Sequence, residues 1–434
     1  MTLDLEARVI GKLRRRILPF VVLLYFVSFL DRVNVGFAAF GMNHAIGLTS
    51  AMFGFGGGLF FLSYLLFEVP SNLILYRVGA RVWIARVMIS TGLVSAASAF
   101  VTGPRSFYAL RFLLGASEAG FFPGIILYLS LWFPARHRAV AVAAFMAAAP
   151  LSIAIGSPIS GAIMQISAFA GLYNWQWLYL IEALPAIALG FLVLRVMTDN
   201  PEQATWLVTE ERLWLIATLK AESAQSAGHD RHTLAALAAL ANPRVLALSL
   251  IYLGSSAGLY TLGLWSPLIL ETFRFSSLTI GLLNSAPSLV AIAAMVAWAH
   301  HSDRTLERKW HVILPCVAAS LGFAWAGLAQ SAVTLILAFT VVNIGINAAK
   351  APLWAMPSSF LSGAGAAAGI AVINSLGNLG GFLGPFLTGW LKDRYGNYAD
   401  GLYSVAAMLA VSAVAMFLLS MQTAEPAELT GPGT

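Results

Sequence analysis

Residues Ile17 to Ala38, ILPFVVLLYFVSFLDRVNVGFA, form an apolar run directly after the basic cluster Lys12, Arg14, Arg15 and Arg16. A hydrocarbon core of about 30 Å takes about 20 helical residues to cross, so the run is long enough to span a bilayer. No small-residue cleavage site follows it, which predicts that the span itself directs insertion and that no leader is removed. Eleven further runs fall at roughly 53–76, 82–102, 106–132, 138–163, 175–197, 243–270, 276–299, 311–329, 332–360, 364–391 and 399–421. Lipid leaves unpaired backbone groups without partners, so these runs are predicted as helices; a barrel would need shorter, alternating strands. Composition agrees. The 434 residues are 59% hydrophobic and 10% charged, against roughly 45–50% and 25% in soluble domains, and a soluble fold is excluded. The single cysteine, Cys316, permits no internal disulfide.

Basic residues stay preferentially on the cytoplasmic side. With the N-terminus inside, 18 of the 25 Lys and Arg residues fall on the inner face, Arg86 among them, and 4 on the outer, while Arg32, Arg111 and Lys350 remain within spans. Both termini are therefore expected in the cytoplasm. The net charge of +6 is largely this bias, and no basic soluble domain exists to bind nucleic acid. The chain is read as a six-span bundle at 1–197, a linker at 198–242 and a second six-span bundle at 243–434. Within the linker, Asn200-Pro201-Glu202 and Thr209-Glu210-Glu211 each place an N-cap residue before helix-compatible acids, predicting short surface helices.

Two features recur at one offset. Arg77 and Arg81 follow span two, Arg304 and Arg308 follow span eight, and Arg77 and Arg304 are 227 residues apart, as are Pro158 and Pro385. Together they predict a duplicated six-span unit, the mark of a transporter that rocks two halves around a site. Small residues at helical spacing in span five (Ser152, Gly156, Ser160) and span eleven (Gly377, Gly380, Gly381, Gly384) predict close helix approach along surfaces that slide.

A charge at mid-membrane costs about 2.5–3.5 kcal/mol on insertion scales, so each asks for a partner or a role. The first half holds Asp31, Arg32, Glu68, Arg111, Glu118 and Glu182; the second holds Lys350. The helical rise puts Arg32 and Arg111 at one level. Two guanidiniums there would repel unless an anion joined them, and arginine binds carboxylates through paired hydrogen bonds; the alternative is that they pair with Asp31 and Glu182. Arg111, Gly115 and Glu118 share one helix face. Burial would raise the pKa of a carboxyl at Glu118 and a neighbouring arginine would lower it, making Glu118, with Asp31, a proton-coupling candidate. Lys350 either completes the anion site or snorkels outward; Glu68 and Glu182 are assigned to structure or gating.

The run LYFVSFLDRVNVGF at 24–37, with FEVPSN at 67–72, RFLLGASEAGFFPG at 111–124, LWFP at 131–134, WLYLIEALP at 177–185, HSDR at 301–304 and SLGNLGGFLGPFLTGWLKD at 375–393, resembles the anion:cation symporter family of the major facilitator superfamily. The resemblance implies twelve helices in two pseudosymmetric bundles that import organic anions with protons. It also implies that Arg32, helped by Arg111, holds the substrate carboxylate, that Asp31 and Glu118 are the protonatable pair, and that Tyr64, Trp354, Asn374 and Asn378 enclose the substrate. Phe29 stands where sugar-acid members often carry tyrosine, and Tyr76 where the loop after span two usually carries an acid. Asp303 keeps that acid in the second half, so the gate of Arg77, Arg81, Asp303, Arg304 and Arg308 is expected to be unequal.

The expected function is proton-coupled import of a small organic carboxylate by a monomer in the bacterial inner membrane, surrounded by lipid and using no cofactor beyond the coupling proton. Exchange or facilitated diffusion without protons is the rival reading. A channel is disfavoured by the duplication. A membrane enzyme is disfavoured because the histidines, His44, His137, His229, His232, His300, His301 and His311, show no metal spacing, and no nucleophile constellation or phosphate-binding loop is present.

Overall fold

In a computed structural model of the chain, residues 2–226, 242–357, 360 and 363–422 are described. His229, Arg231 and His232, with linker residues 227–241, lie outside the described residues. An amphipathic helix α1 (Thr2–Arg16) leads into α2 (Leu18–Ala45), followed by α3 (Ser50–Val78) and α4 (Ala80–Ala97). Span four is α5 (Pro104–Glu118) plus α6 (Phe121–Trp132), span five α7 (Ala135–Met146) plus α8 (Ala148–Ile163), and span six α9 (Asn174–Val196). After a short turn of helix at Pro201–Gln203, α10 (Thr209–Ser226) lies in the linker; Thr209 is its first residue rather than its cap, and the Val208 N–H ahead of it donates to Glu211 at 3.3 Å. The second half runs α11 (Pro243–Glu271), α12 (Ser277–Thr305), α13 (Lys309–Leu328), α14 (Ala332–Ala355), α15 (Gly363–Asn378), α16 (Gly380–Tyr395) and α17 (Ala399–Gln422). Among the described residues these supply twelve segments long and apolar enough to cross a membrane. Leu66, Val69, Leu73, Leu321 and Leu328 are 61% to 71% exposed, a surface that suits lipid and would aggregate in water.

The joints within spans differ. Ala147, between α7 and α8, and Leu379, between α15 and α16, keep helical backbone angles and bend their spans without interrupting them. Ala119 is extended and Gly120 left-handed (φ 85°), so span four is interrupted immediately after Glu118.

Between helices, contact is made through small residues. A Cβ added at Gly380 would stand 2.0 Å from the Leu253 carbonyl oxygen, and one at Gly384 2.6 Å from the Thr261 hydroxyl, so span eleven lies directly on span seven. Ser152 donates to the Phe26 carbonyl at 2.8 Å, and a Cβ at Gly156 would meet Leu30 at 2.6 Å, setting span five on span one. Close backbone approach of this kind drives helix association where lipid tails are as apolar as leucine.

The duplication is visible in the backbone. Gly47 and Arg274 are left-handed (φ 68° and 60°) and 227 residues apart; Gly79 and Leu306 (φ 93° and 54°) repeat the offset. A leucine or arginine is held left-handed only against steric cost, so these two keep a turn geometry that glycine adopts freely in the first half.

By internal packing, one compact unit comprises Met1–His229 with Gly263–Ala286 and the other Asp230–Leu262 with Pro287–Thr434. Within the first, Trp265 meets Phe53 edge-on at 5.4 Å, and Asn284 donates to Ser157 at 2.9 Å.

A Cβ at Gly115 would lie 2.1 Å from the Phe60 carbonyl oxygen, whereas one at Gly11 meets nothing within 4 Å. Gly115→Ala is therefore expected to lower stability by about 1–3 kcal/mol through overpacking, and Gly11→Ala to leave it unchanged or slightly raised. Thermal melts of the two purified variants check the contrast.

Candidate functional site

The first unit gathers its charges where α2, α3, α4 and α5 meet. Ser28, Asp31 and Arg32 follow one another at i, i+3 and i+4 along α2, and Arg111, Gly115 and Glu118 at i, i+4 and i+7 along α5, so each set shares a helix face. Without a side chain at Gly115, α3 approaches until its backbone touches α5, and Phe60 and Tyr64 reach the charged groups.

Glu118, 1% exposed, accepts from Arg32 Nη2 at 2.6 Å and from Ser28 Oγ at 3.1 Å. The Arg32 guanidinium carbon lies 5.0 Å from the Phe29 ring, 5.0 Å from Phe60 and 6.0 Å from Tyr64. Phe60 also faces the second guanidinium, with Arg111 at 5.5 Å from its centroid. Arg111 is 5% exposed, and among the described residues it forms no hydrogen bond and no ion pair within 4 Å. Its charge is felt by Asp31, Glu118, Arg32 and Tyr179 without contact. Asp31 takes its hydrogen bonds from Ser95 Oγ and from Asn34 Nδ2 at 3.2 Å rather than from adjacent Arg32. Glu182 accepts from Ser160 at 2.6 Å and lies close to Asn34. The sequence left open pairing of the arginines with Asp31 and Glu182; the ion-pair partner found for Arg32 is Glu118, and Arg111 lies against the Phe60 ring with no ion pair among the described residues.

In the second unit Lys350 donates to Asn347 Oδ1 at 3.0 Å, and no carboxylate among the described residues pairs with it. Asn347 and Asn343 donate back along α14 to the carbonyls four residues earlier. Trp354 meets Tyr252 edge-on at 5.1 Å. Asn374 and Asn378 are half-buried on α15, Asn378 at its last residue.

The helix-end charges are unequal between the units. Asp199 accepts from the Arg81 backbone N–H at 2.8 Å and lies 3.8 Å from its Nε. Arg308 pairs with Asp303 at 2.7 Å and donates to Ser302 at 2.8 Å. Arg77 and Arg304 are exposed at their helix ends. Beside Arg308, Glu307 bonds His311 Nδ1 at 2.7 Å, and His311 Nε2 bonds His301 at 2.7 Å. No cluster able to hold a metal occurs among the described residues.

The sequence model of the Major Facilitator Superfamily matches residues 21–385. The chain belongs to the Major Facilitator Superfamily. This facilitator is 59% identical over 425 residues to a protein of Agrobacterium vitis named "Putative tartrate transporter", covering 98% of each chain. It is 40% identical over 406 residues to NicT of Pseudomonas putida, a metabolite transport protein by name, covering 93% of this chain and 92% of that one. A crystal structure of a bacterial homologue of the lysosomal transporter Spinster superposes with a TM-score of 0.76 at 16% identity, covering 94% of this chain and 97% of that one; it shares the fold. The facilitator is thus a multi-pass membrane transporter and not an enzyme.

Sequence reasoning missed several groups that complete the facilitator's site. Ser28 sits four residues before Arg32, a spacing that marks a shared helix face. Ser95 and Ser160 reach Asp31 and Glu182 from other spans, and no local spacing points to them. Arg86, read as a basic residue at the inner face, lies within α4 and donates to the Ser117 carbonyl at 3.0 Å.

Glu307 offers a check on the electrostatics outside the spans. Burial works against its ionisation, but hydrogen bonds from the Trp310 backbone and from His311 outweigh it and hold the carboxyl below the usual carboxylate range. A lowered folded pKa contributes stability above the unfolded value, lost as pH falls through the folded one. Glu307→Gln is therefore expected to lower the melting temperature at pH 7, with the two proteins converging in acid; melts across pH check this.

Proposed function

We propose that this facilitator imports a small organic carboxylate together with protons, by alternating access, in a bacterial inner membrane with both termini in the cytoplasm and no cofactor beyond the coupling proton. The observation that carries the reading is the state of two in-span arginines: Arg32, half-buried, is held by Glu118, while Arg111, 5% exposed, has no ion-pair partner among the described residues. An uncompensated buried charge costs several kcal/mol. An incoming carboxylate supplies the missing counter-charge, and the planar fork of arginine suits it.

Protonation links the two. Once Glu118 takes a proton, its hold on Arg32 weakens, and both guanidiniums are available to an anion. When the anion leaves, Glu118 loses its proton and pairs with Arg32 again, so in an empty carrier Arg32 regains its counter-charge. Asp31, bonded to neutral Ser95 and Asn34, serves as a second proton site with no cation bonded to it. Tyr64 packs beside Arg32, and Lys350 is the cation that the second unit offers an anion. Trp354, Asn374 and Asn378 are assigned to the substrate's uncharged part, Arg77, Arg81, Asp303, Arg304 and Arg308 to gating, and the working unit to a monomer. Tartrate is the substrate to try first, since a relative 59% identical carries it in its name.

Proteoliposomes with an imposed proton gradient test the reading. Tartrate should accumulate; Glu118→Gln should abolish accumulation while keeping counterflow of preloaded substrate. Arg111→Gln should weaken binding about 30-fold or more, the loss expected when one partner of a buried charge pair is truncated. Accumulation that ignores the gradient in the native protein would mean exchange or facilitated diffusion. No binding of any carboxylate in a thermal-shift screen would remove the substrate class.

A further inference from the structure

We propose that Arg86, acting with Ser71 and Trp83, is a positioning residue for Glu118, clamping the interrupted end of span four so that the carboxylate stays beside Arg32. The inference rests on the reading of Glu118 as a proton carrier.

Its basis is the interruption itself. Because α5 stops at Glu118, the carbonyls of its last turn lose the N–H partners that a continuous helix would supply. Lipid offers no water in their place, and an unsatisfied backbone group there costs several kcal/mol. Two neighbouring spans fill the gap. Arg86 Nη1, from α4, donates to the Ser117 carbonyl at 3.0 Å, and Ser71 Oγ, from α3, donates to the Ala119 carbonyl at 2.6 Å. Trp83 Nε1 donates to Ser71 Oγ at 2.9 Å and so orients that hydroxyl. Glu118 is the residue between the two clamped carbonyls. Gly120 closes the joint: its left-handed backbone suits glycine, and a Cβ there would stand 2.2 Å from Ser71 Oγ.

A neutral donor would cap Ser117 equally well and would cost less in lipid, so the charge of Arg86 calls for its own explanation. The guanidinium carbon lies 3.8 Å from the centre of the Trp83 ring, which fixes the plane of its fork and compensates part of the charge. The positive group is thereby held at the negative end of the α5 dipole, one residue from the carboxylate. The other charged or titratable groups around Glu118 are Arg32 and Asp31 on α2, Arg111 on its own helix, and Tyr64 with Glu68 a turn away on α3; Glu182 and Tyr179 on α9 stand beyond Asp31. Arg86 is the group that α4 adds.

The experiment is tartrate uptake by proteoliposomes as a function of external pH, for the native protein, Arg86→Gln, Arg86→Lys, Ser71→Ala and Glu118→Gln. Arg86→Gln should move the pH of half-maximal gradient-driven uptake by roughly half a unit or more, since the carboxylate is then no longer held against Arg32. Arg86→Lys, which keeps the charge and loses the fork, should restore the midpoint with a reduced rate. Ser71→Ala leaves every charge in place and should lower the accumulation ratio at a fixed gradient at least twofold through slippage; it is the arm to read if Arg86→Gln fails to fold. An unmoved midpoint in a folded Arg86→Gln protein, or an unaltered ratio in Ser71→Ala, overturns the proposal. Glu118→Gln separates the two levels: if it still accumulates substrate, the coupling reading itself falls, whereas loss of accumulation there with an unmoved midpoint in Arg86→Gln removes this inference alone.

Discussion

A carboxylate and a guanidinium are each expensive in hydrocarbon and far less so together, provided that their contact is close and their remaining polar atoms are satisfied. The pair of Glu118 and Arg32 at 2.6 Å meets the first condition, while Glu118 Oε2 is buried without a hydrogen-bond partner among the described residues, and much of the first unit is arranged around the pair. Gly115 removes the side chain that would keep α3 from α5. Ser28 takes up Glu118 Oε1 from the next turn of α2, and the rings of Phe29, Phe60 and Tyr64 pack on the guanidinium. The break after Glu118 is the cost of putting a carboxylate at a helix end, and side chains of α3 and α4 supply the hydrogen bonds lost there.

Against this pair, Arg111 is the exception: it is 5% exposed and has no ion-pair partner among the described residues. It shares Phe60 with Arg32, so the two guanidiniums repel through a polarisable ring instead of facing one another across water. The fold can hold such a group only because Asp31 and Glu118 lie close enough for their charges to act on it.

The two halves keep a common backbone while their chemistry diverges. Positive φ angles recur 227 residues apart even where the second half uses arginine and leucine instead of glycine, so the backbone keeps them there without the residue that adopts them most easily. The polar groups did not follow. The first unit holds acids and arginines in contact; the second offers Lys350 with an asparagine ladder on α14 and a tryptophan against Tyr252. Helix-end pairing is likewise uneven, with Arg81 tied to Asp199 and Arg308 to Asp303.

Twelve membrane helices and their duplication were legible in the residues alone, as were the in-span charges Asp31, Arg32, Arg111 and Glu118 that the first unit gathers. Hydrocarbon allows so few solutions for the backbone that span length settles the fold class, and a charge within a span is conspicuous because it is costly. Pairing was not legible. Asp31 next to Arg32, and Arg111 seven residues before Glu118, suggest local partners, yet the ion pair runs from α2 to α5 and Asp31 is bonded by Ser95 from α4. Which acid meets which base depends on how helices distant in sequence rotate and approach, and glycine contacts such as Gly115 against Phe60 control that approach. The interruption of span four escaped notice for the same reason: Ala119 and Gly120 are compatible with a continuous helix until Ser71 and Arg86, brought alongside by packing, give the broken end somewhere to bond.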